Sequence, residues 1–358
     1  MDVKIQVPEG KEALTEFVRF HDQLYAYRDA RWPAPLTFQL SILTGESPFA
    51  QERKIRPFIA WRGSDIVGRA VAVVDEHYNR HWHERLGHIS LFEALPENRA
   101  ATKLLLDAAC DWLKAQGTKA ARAGWGLMDR PFVIDDYDSL PPSILRQNPA
   151  YYHRLFKEAG FEVEKGWVDY KIEVQPELVA RWENALAGAR RAGYEIVPLK
   201  DVPASRRVTE FTDTWNDTFK VHWGWTPFTE EEIACLFEMA APAGLFETSV
   251  LAYRAGTPVG MLYVIPEGTA RAVRKPGCVV QEAEKLNVLG IGVREAARGQ
   301  GVNLAMAAYA YLELARRGAT YLSYTLVYDD NWPSRRTAEK LGAFVCANYL
   351  VYRRNFWR

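Results

Sequence analysis

The hexapeptide Arg298-Gly299-Gln300-Gly301-Val302-Asn303 is the stretch whose residue types and spacing best suit ligand chemistry. It follows a β-branched run, Val288-Leu289-Gly290-Ile291-Gly292-Val293, and opens an apolar-periodic stretch that Gly318 closes. At a strand-loop-helix junction the first backbone N–H groups lack helical acceptors and sit at the partly positive end of the helix. Glycines let that backbone approach an anion closely and Arg298 adds charge, so the loop suits a pyrophosphate. The candidate binding residues are Gly292, Val293, Arg298, Gly299, Gln300, Gly301, Val302 and Asn303. A glycine turn before a helix is also ordinary punctuation, so the assignment depends on the surrounding elements.

Those elements occur twice. In the first half, Phe58–Trp61 and Ile66–Val74 flank a turn and read as a hairpin. A strand at Gly87–Phe92 follows, then a helix with Ala101, Leu104, Leu105, Ala108, Ala109, Trp112 and Leu113 at helical spacing, stopped by Gly117. A short strand at Lys119–Gly124, a second helix ending at Gly160, and a closing hairpin from Phe161–Val163 to Tyr170–Ile172 complete the unit. The second half repeats the order: hairpin Val250–Tyr253 and Val259–Ile265, strand Val288–Val293, helix Asn303–Arg317, strand Tyr321–Leu326, helix Trp332–Leu341 and last strand Val345–Tyr352. Glycines close matching helices, Gly117 with Gly318 and Gly160 with Gly342. The chain therefore reads as an internal duplication of an α/β unit with a mixed sheet, divided as 1–175, a bridge 176–246, and 247–358.

Composition narrows the function. Lys plus Arg and Asp plus Glu both number 45, so no global field favours nucleic acid or an anionic membrane. Cys110, Cys235, Cys278 and Cys346 show no paired spacing and read as reduced thiols. The opening residues lack a basic, then apolar, leader pattern, and no run reaches membrane-spanning length, which gives a cytoplasmic expectation. His77, His81, His83 and His88 cluster, but Tyr78, Asn79, Arg80 and Trp82 break up any ligand spacing, so no metal is expected. The same stretch, with Trp82, gives the alternative of weak association at the inner-membrane surface.

From about Val250 onward the chain resembles the GNAT acyltransferase superfamily. Arg298, Gly301 and Asn303 fall on its loop pattern, with Asn303 replacing the usual small residue. Asn331, then Glu339-Lys340-Leu341-Gly342 and Phe344, resembles its second motif, with Ala343 inserted. The resemblance implies two fused GNAT-like domains. Acyl-CoA or acetyl-CoA is the co-substrate, pantetheine lies between two splayed strands, Asn331 sits beside it, and a backbone N–H polarises the thioester for direct attack by an amine. It also implies a Tyr donor to the thiolate, but that position is Ala338; Tyr328 and Tyr324 are the nearby alternatives. Base candidates are Asp329, Asp330 and His222, of which His suits neutral pH best. Each also has a structural reading, Asp329-Asp330-Asn331 as a helix cap above all. After Phe92-Glu93 the first half runs Ala94-Leu95-Pro96-Glu97-Asn98-Arg99 at the loop position, with no glycine and with the two acids Glu93 and Glu97, and is not expected to bind CoA.

A looser likeness spans the chain: Arg31–Leu36, Ser47–Phe49, Gly68-Arg69, Phe92-Glu93, Asn148–Tyr152, Trp215-Asn216 and His222–Pro227 resemble a bacterial tandem-GNAT N-acyltransferase-like group, some of whose members are ceramide synthases. It implies a small-molecule or lipid amine acceptor. Asn216, Trp223 and Trp225 are candidate acceptor-binding residues, with gluing of the bridge as the alternative. A catalytically silent CoA-binding protein is the rival reading, favoured by Ala338.

Overall fold

The computed structural model describes residues 3–280 and 284–356. Twelve strands of four residues or more, among the described residues, fall into two runs of six. The first run is β1 (Val3–Gln6), β2 (Arg53–Arg62), β3 (Asp65–Asp75), β4 (Leu86–Ala94), β5 (Ala120–Ala123) and β6 (Glu162–Glu173). Its helices are α1 (Gly10–Leu24), α2 (Leu36–Leu43), α3 (Glu76–Trp82), α4 (Arg99–Ala115) and α5 (Tyr152–Glu158). The second comprises β7 (Tyr194–Pro198), β8 (Val250–Arg254), β9 (Thr257–Gly268), β10 (Glu284–Val293), β11 (Tyr321–Tyr328) and β12 (Phe344–Asn355). Between β6 and β7 lies α6 (Pro176–Arg191), and α7 (Ala204–Phe219), α8 (Glu230–Ala240), α9 (Val302–Arg316) and α10 (Trp332–Lys340) follow. The duplicated order expected from the sequence is present. The matching helix-closing glycines all take left-handed φ, from +80° to +92°, which a β-carbon would disfavour.

The sheets do not divide as the chain does. One sheet runs β1-β2-β3-β4-β5-β12-β6-β11, with the short strand Phe132–Val133 alongside β12; the other runs β10-β9-β8-β7. The final strand of each half has crossed to the other: β12 pairs with β5 (Tyr352 opposite Ala123) and β6 with β11 (Tyr321 opposite Glu173). β6 and β12 pair antiparallel with each other at the centre.

This arrangement corrects two expectations. Phe161 to Ile172 is not a hairpin but the single strand β6. Gly166, where a turn would have to fall, stands opposite Leu350 in the ladder, and a β-carbon there would come 2.2 Å from the Asp329 carboxylate. Its glycine admits a close neighbour rather than a turn. Nor is 176–246 a free bridge: β7 pairs along its length with β8, and Trp182, Leu186 and Ala189 of α6 belong to the core around α9. That cover explains why α9 is apolar nearly all round, burying Val302, Ala305, Met306, Ala308, Tyr311 and Leu314 together.

Because β5 has β12 as its outer neighbour, residues 1–175 alone expose a long unpaired edge. We expect that fragment to give no cooperative thermal transition by circular dichroism while the full chain does. A sharp melt from the isolated fragment would contradict the strand exchange.

Candidate functional site

β10 and β11 are adjacent in space but belong to different sheets, β10 hydrogen-bonded to β9 and β11 to β6. Where they are closest, Thr325 Oγ1 donates to Val288 O at 3.0 Å. Beyond that point both strands carry a bulge: Leu289 is an extra residue against Tyr263/Val264, and the β11 register slips between Tyr324 and Val327, with Leu326 held at φ +59°. Bulges bend a strand and free backbone groups from the ladder. A non-glycine residue at positive φ costs on the order of 1 kcal/mol or more and persists only where its surroundings impose it. The result is a slot with unladdered backbone on its β10 side.

The first half shows the same elements closed. β4 and β5 pair in parallel from Leu86/Ala120 to Ile89/Ala123, and Phe92, Phe132, Tyr152 and Phe156 pack together beyond them. Tyr152 also takes the Ala94 N–H, and Tyr151 donates to Ala94 O. Side chains fill the space that the second half leaves open.

At the mouth of the open slot the loop runs exposed from Arg298 to Gly301, and α9 starts at Val302. Gly299 and Gly301 have φ +76° and +78°, and a β-carbon on either would meet nothing within 4 Å. The loop thus keeps clear a space walled by backbone, as a phosphate cradle requires. Arg298 Nε donates to Val293 O at 3.0 Å, fixing the guanidinium over the strand end. Asn303 Nδ2 donates to Thr337 Oγ1 at 2.8 Å, so the residue that departs from the family pattern braces α9 against α10. Gln300 turns away to Tyr194 and Arg254. Gly292 is required for packing, since a β-carbon would come 2.2 Å from Thr218 Oγ1.

The slot opens into a cavity of about 720 Å³ that spans both halves, within the roughly 300–1,000 Å³ common for small-molecule sites. Arg298, Gly299, Val302 and Asn303 line one end, with Gly292, Val293 and Asn331. Asn331 accepts from Ser334 N and caps α10, as its sequence position implied.

The structure separates the catalytic candidates. His222 and Tyr324 line the cavity; Tyr328, Asp329 and Asp330 do not. Asp329 and Asp330 are exposed, Asp330 in a 2.6 Å pair with Lys165. Tyr328 is buried beneath the His222 ring, which stacks on it at 4.4 Å between centroids, and burial pushes its hydroxyl far above the usual range. Tyr324 hydrogen-bonds Ser334 Oγ at 2.8 Å and burial raises it to about 12. Ala338 is fully buried in the core around α9, so that helix position presents no group to the cavity. His222 is lowered to about 4, by burial first and by the Lys165 charge second.

Among the proposed acceptor residues, Trp225 lines the cavity, whereas Asn216 and Trp223 do not. Asn216 bonds both backbone groups of Phe228, and Trp223 lies under the Arg122 guanidinium at 4.2 Å. The segment around Trp225 is gripped by the first half: Trp82 Nε1 donates to Trp225 O and Trp125 Nε1 to Gly224 O, both at 2.7 Å. The four clustered histidines diverge, His81 to Lys220 O, His88 to Trp125 O, His77 towards Glu52, and His83 at a helix end.

Sequence reasoning missed the cavity's other end. Glu93 is fully buried and lines it, with His21 Nδ1 at 3.1 Å, Tyr25 O–H at 2.9 Å and Tyr152 O–H at 2.6 Å. Burial opposes its ionisation, but the hydrogen bond and charge of His21, with Arg146 and Arg69, win and hold it down at about 2. Phe92-Glu93 carried the full-length resemblance without showing why. The signal was a carboxylate inside a mostly apolar strand.

His222 makes a pH prediction. Its folded value of about 4 lies below the ordinary value near 6.5. Between those limits only the unfolded chain takes up the proton, so stability is full above about pH 6.5 and falls until about pH 4. Urea unfolding should show His222→Gln losing less stability than wild type, by up to about 3 kcal/mol, on going from pH 7 to pH 4. Equal losses would mean that the ring is solvated.

Comparison with known proteins agrees with this architecture. Residues 208–343 match the acetyltransferase (GNAT) family. The chain is 27% identical over 228 residues to a bacterial ceramide synthase of Caulobacter vibrioides (strain NA1000 / CB15N), covering 61% of this chain and 58% of that one. It is 23% identical over 234 residues to protein YghO of Escherichia coli (strain K12), covering 63% and 59%. The chain thus spans about three fifths of each relative's length. A tandem GNAT protein from the clavulanic acid biosynthesis pathway superposes with a TM-score of 0.59 at 12% identity, covering 100% of this chain and 99% of that chain, a likeness of fold. With one half carrying the open slot and glycine loop and the other the same elements closed, the chain has the fold of a tandem GNAT protein, and its residues 208–343 match the acetyltransferase (GNAT) family.

Proposed function

We propose that the chain transfers an acyl group from acyl-CoA, or acetyl-CoA, to an amine acceptor. The observation that carries this reading is the slot between β10 and β11, which joins an open glycine cradle to a cavity reaching into the other half. The residues present fit the co-substrate. Free N–H groups at the start of α9 and Arg298 would hold the pyrophosphate, and the bulged backbone of β10 would take pantetheine as an added strand. A backbone N–H freed by the Leu289 bulge would polarise the thioester carbonyl. Tyr324, kept protonated and hydrogen-bonded to Ser334, is the hydroxyl on the cavity wall able to donate to the leaving thiolate.

A specific observation favours a lipid amine as the acceptor class. Between the polar ends the cavity wall includes Phe38, Phe49, Phe228, Leu236, Trp225 and Leu289. Such a wall suits hydrocarbon, and the Caulobacter relative is named for forming ceramide, an amide of a long-chain amine. Among the described residues no helix is long and apolar enough to cross a membrane, so a lipid acceptor would be met at a membrane surface or in solution.

Thermal shift against acetyl-, octanoyl- and palmitoyl-CoA tests both levels. CoA thioesters should stabilise the wild type, the longest chain most, and Gly301→Glu should abolish the effect by placing a carboxylate in the cradle. Unchanged CoA affinity in a folded Gly301→Glu protein would remove the loop assignment. Stabilisation without thiol release in the presence of long-chain primary amines would favour the silent CoA-binding reading instead.

A further inference from the structure

Two histidines line the cavity, and they differ in what holds them. His222 is sandwiched between the rings of Tyr328 and Phe219, with centroids at 4.4 and 4.9 Å. The charge bearing on it is that of Lys165. A ring so placed is a poor proton acceptor, because taking a proton creates a cation in an apolar stack beside another cation. His21 is the reverse case. It stands on α1 with its Nδ1 on Glu93, and two further hydroxyls, Tyr25 and Tyr152, anchor the other oxygen of the same carboxylate. An ionised carboxylate can only accept, so Nδ1 carries a proton, and the tautomer this hydrogen bond selects keeps its lone pair on Nε2.

We propose that His21, oriented by Glu93, is the general base that deprotonates the acceptor amine, so that the half without a CoA site supplies the base for chemistry in the other. The assignment rests on the acyl-transfer reading above. The acceptor ammonium gives one proton to His21 Nε2, and the freed lone pair forms the C–N bond at the thioester carbonyl. The C–S bond then breaks with its electron pair on sulfur, Tyr324 gives its proton to the thiolate, and the second proton shed by nitrogen restores Tyr324. His21 returns its proton to solvent.

Glu93 is a positioning residue: it fixes the ring and stabilises the imidazolium as it forms. The other charged and titratable groups around the pair are Arg69 on β3, Arg146 in the segment 134–151, and the Tyr25 and Tyr152 hydroxyls. Arg69 is tied to Phe17 O and Val18 O of α1, and Arg146 to Asp129 and Phe92 O. Burial keeps both tyrosines protonated, so they remain donors to Glu93 throughout the working pH range.

The test measures thiol release from palmitoyl-CoA with hexadecylamine or sphinganine between pH 5.5 and 9. His21→Gln and His21→Ala should bind CoA as wild type does but lose turnover by about a hundredfold or more. The acid limb of the wild-type kcat/KM profile should vanish with them, and added imidazole should restore part of the His21→Ala rate, which a merely structural role would not allow. His77→Gln, whose ring lies outside the cavity beside Glu52, should stay within about threefold of wild type. Wild-type turnover that survives in His21→Gln, or that His222→Gln abolishes instead, overturns the assignment of His21 alone. Absence of thiol release by wild type with either amine overturns the acyl-transfer reading with these acceptors, and this assignment with it.

Discussion

The antiparallel pair β6–β12 is the constraint on which the rest depends. Each strand terminates one repeat in sequence and completes the sheet of the other, so neither half can close without its partner. The pair extends from Phe344 opposite Lys171 to Arg353 opposite Glu162, and its core, with Trp167, Tyr349 and Val351, is a cluster of its own between the two larger ones. Strand exchange removes two edges at once, which relieves the exposure that ends most open sheets. It also fixes β11 by pairing it to β6 rather than to β10. The slot between β10 and β11 can then stay unladdered without the domain losing a strand.

A second tie reinforces the first. Arg53 on β2 bonds Asp75 of the first half and Glu232 on α8 of the second, at 2.8 and 2.5 Å, all three nearly excluded from solvent. Burying charges costs several kcal/mol each, so such a triad adds little net stability; its effect is geometric, because breaking one contact strands a charge. Glu232 also closes the capping box of α8 with Thr229, which couples the helix start to the interface. With Trp82 and Trp125 gripping the chain at Gly224 and Trp225, the second half's α7–α8 region is held against the first half's α3 and the end of β5. A rigid shared wall is what a cavity made by two halves requires.

Element order, the helix-closing glycines and the glycine loop before α9 were legible because they are local. Each depends on residues within one turn or one strand, where spacing and left-handed φ leave a signature in residue type. The exchange of β6 and β12 was not legible, since β-branched strands carry no mark of which partner they pair with. Gly166 illustrates the difficulty: its glycine answers to Asp329, a residue 163 positions away in sequence. The same limit separated Tyr324 from Tyr328 and drew Asp329 and Asn216 into the list of site candidates. On β11 alternate faces are set by the strand, but the bulge at Leu326 reverses that alternation, and a bulge has no reliable sequence sign. His21 was missed because its partner lies 72 residues further on.

The registers show where the repeats diverged. In the second half Gly260 faces Val293 and Met261 faces Gly292; in the first, Gly68 faces Ala94 and Arg69 faces Glu93. Glu93 therefore occupies the place of Gly292, and Arg69 that of Met261. At this point one repeat needs a bare backbone, because Thr218 and Phe219 of α7 lie against it. The other repeat carries there a buried guanidinium and a buried carboxylate, both tied to α1, the helix that matches α7, Arg69 through the Phe17 and Val18 carbonyls and Glu93 through His21. Deleting a side chain makes room for a ligand; adding a carboxylate with a histidine on it makes a group that can act on one. The two changes at one register position turn a symmetric fold into a cavity with two chemically different ends.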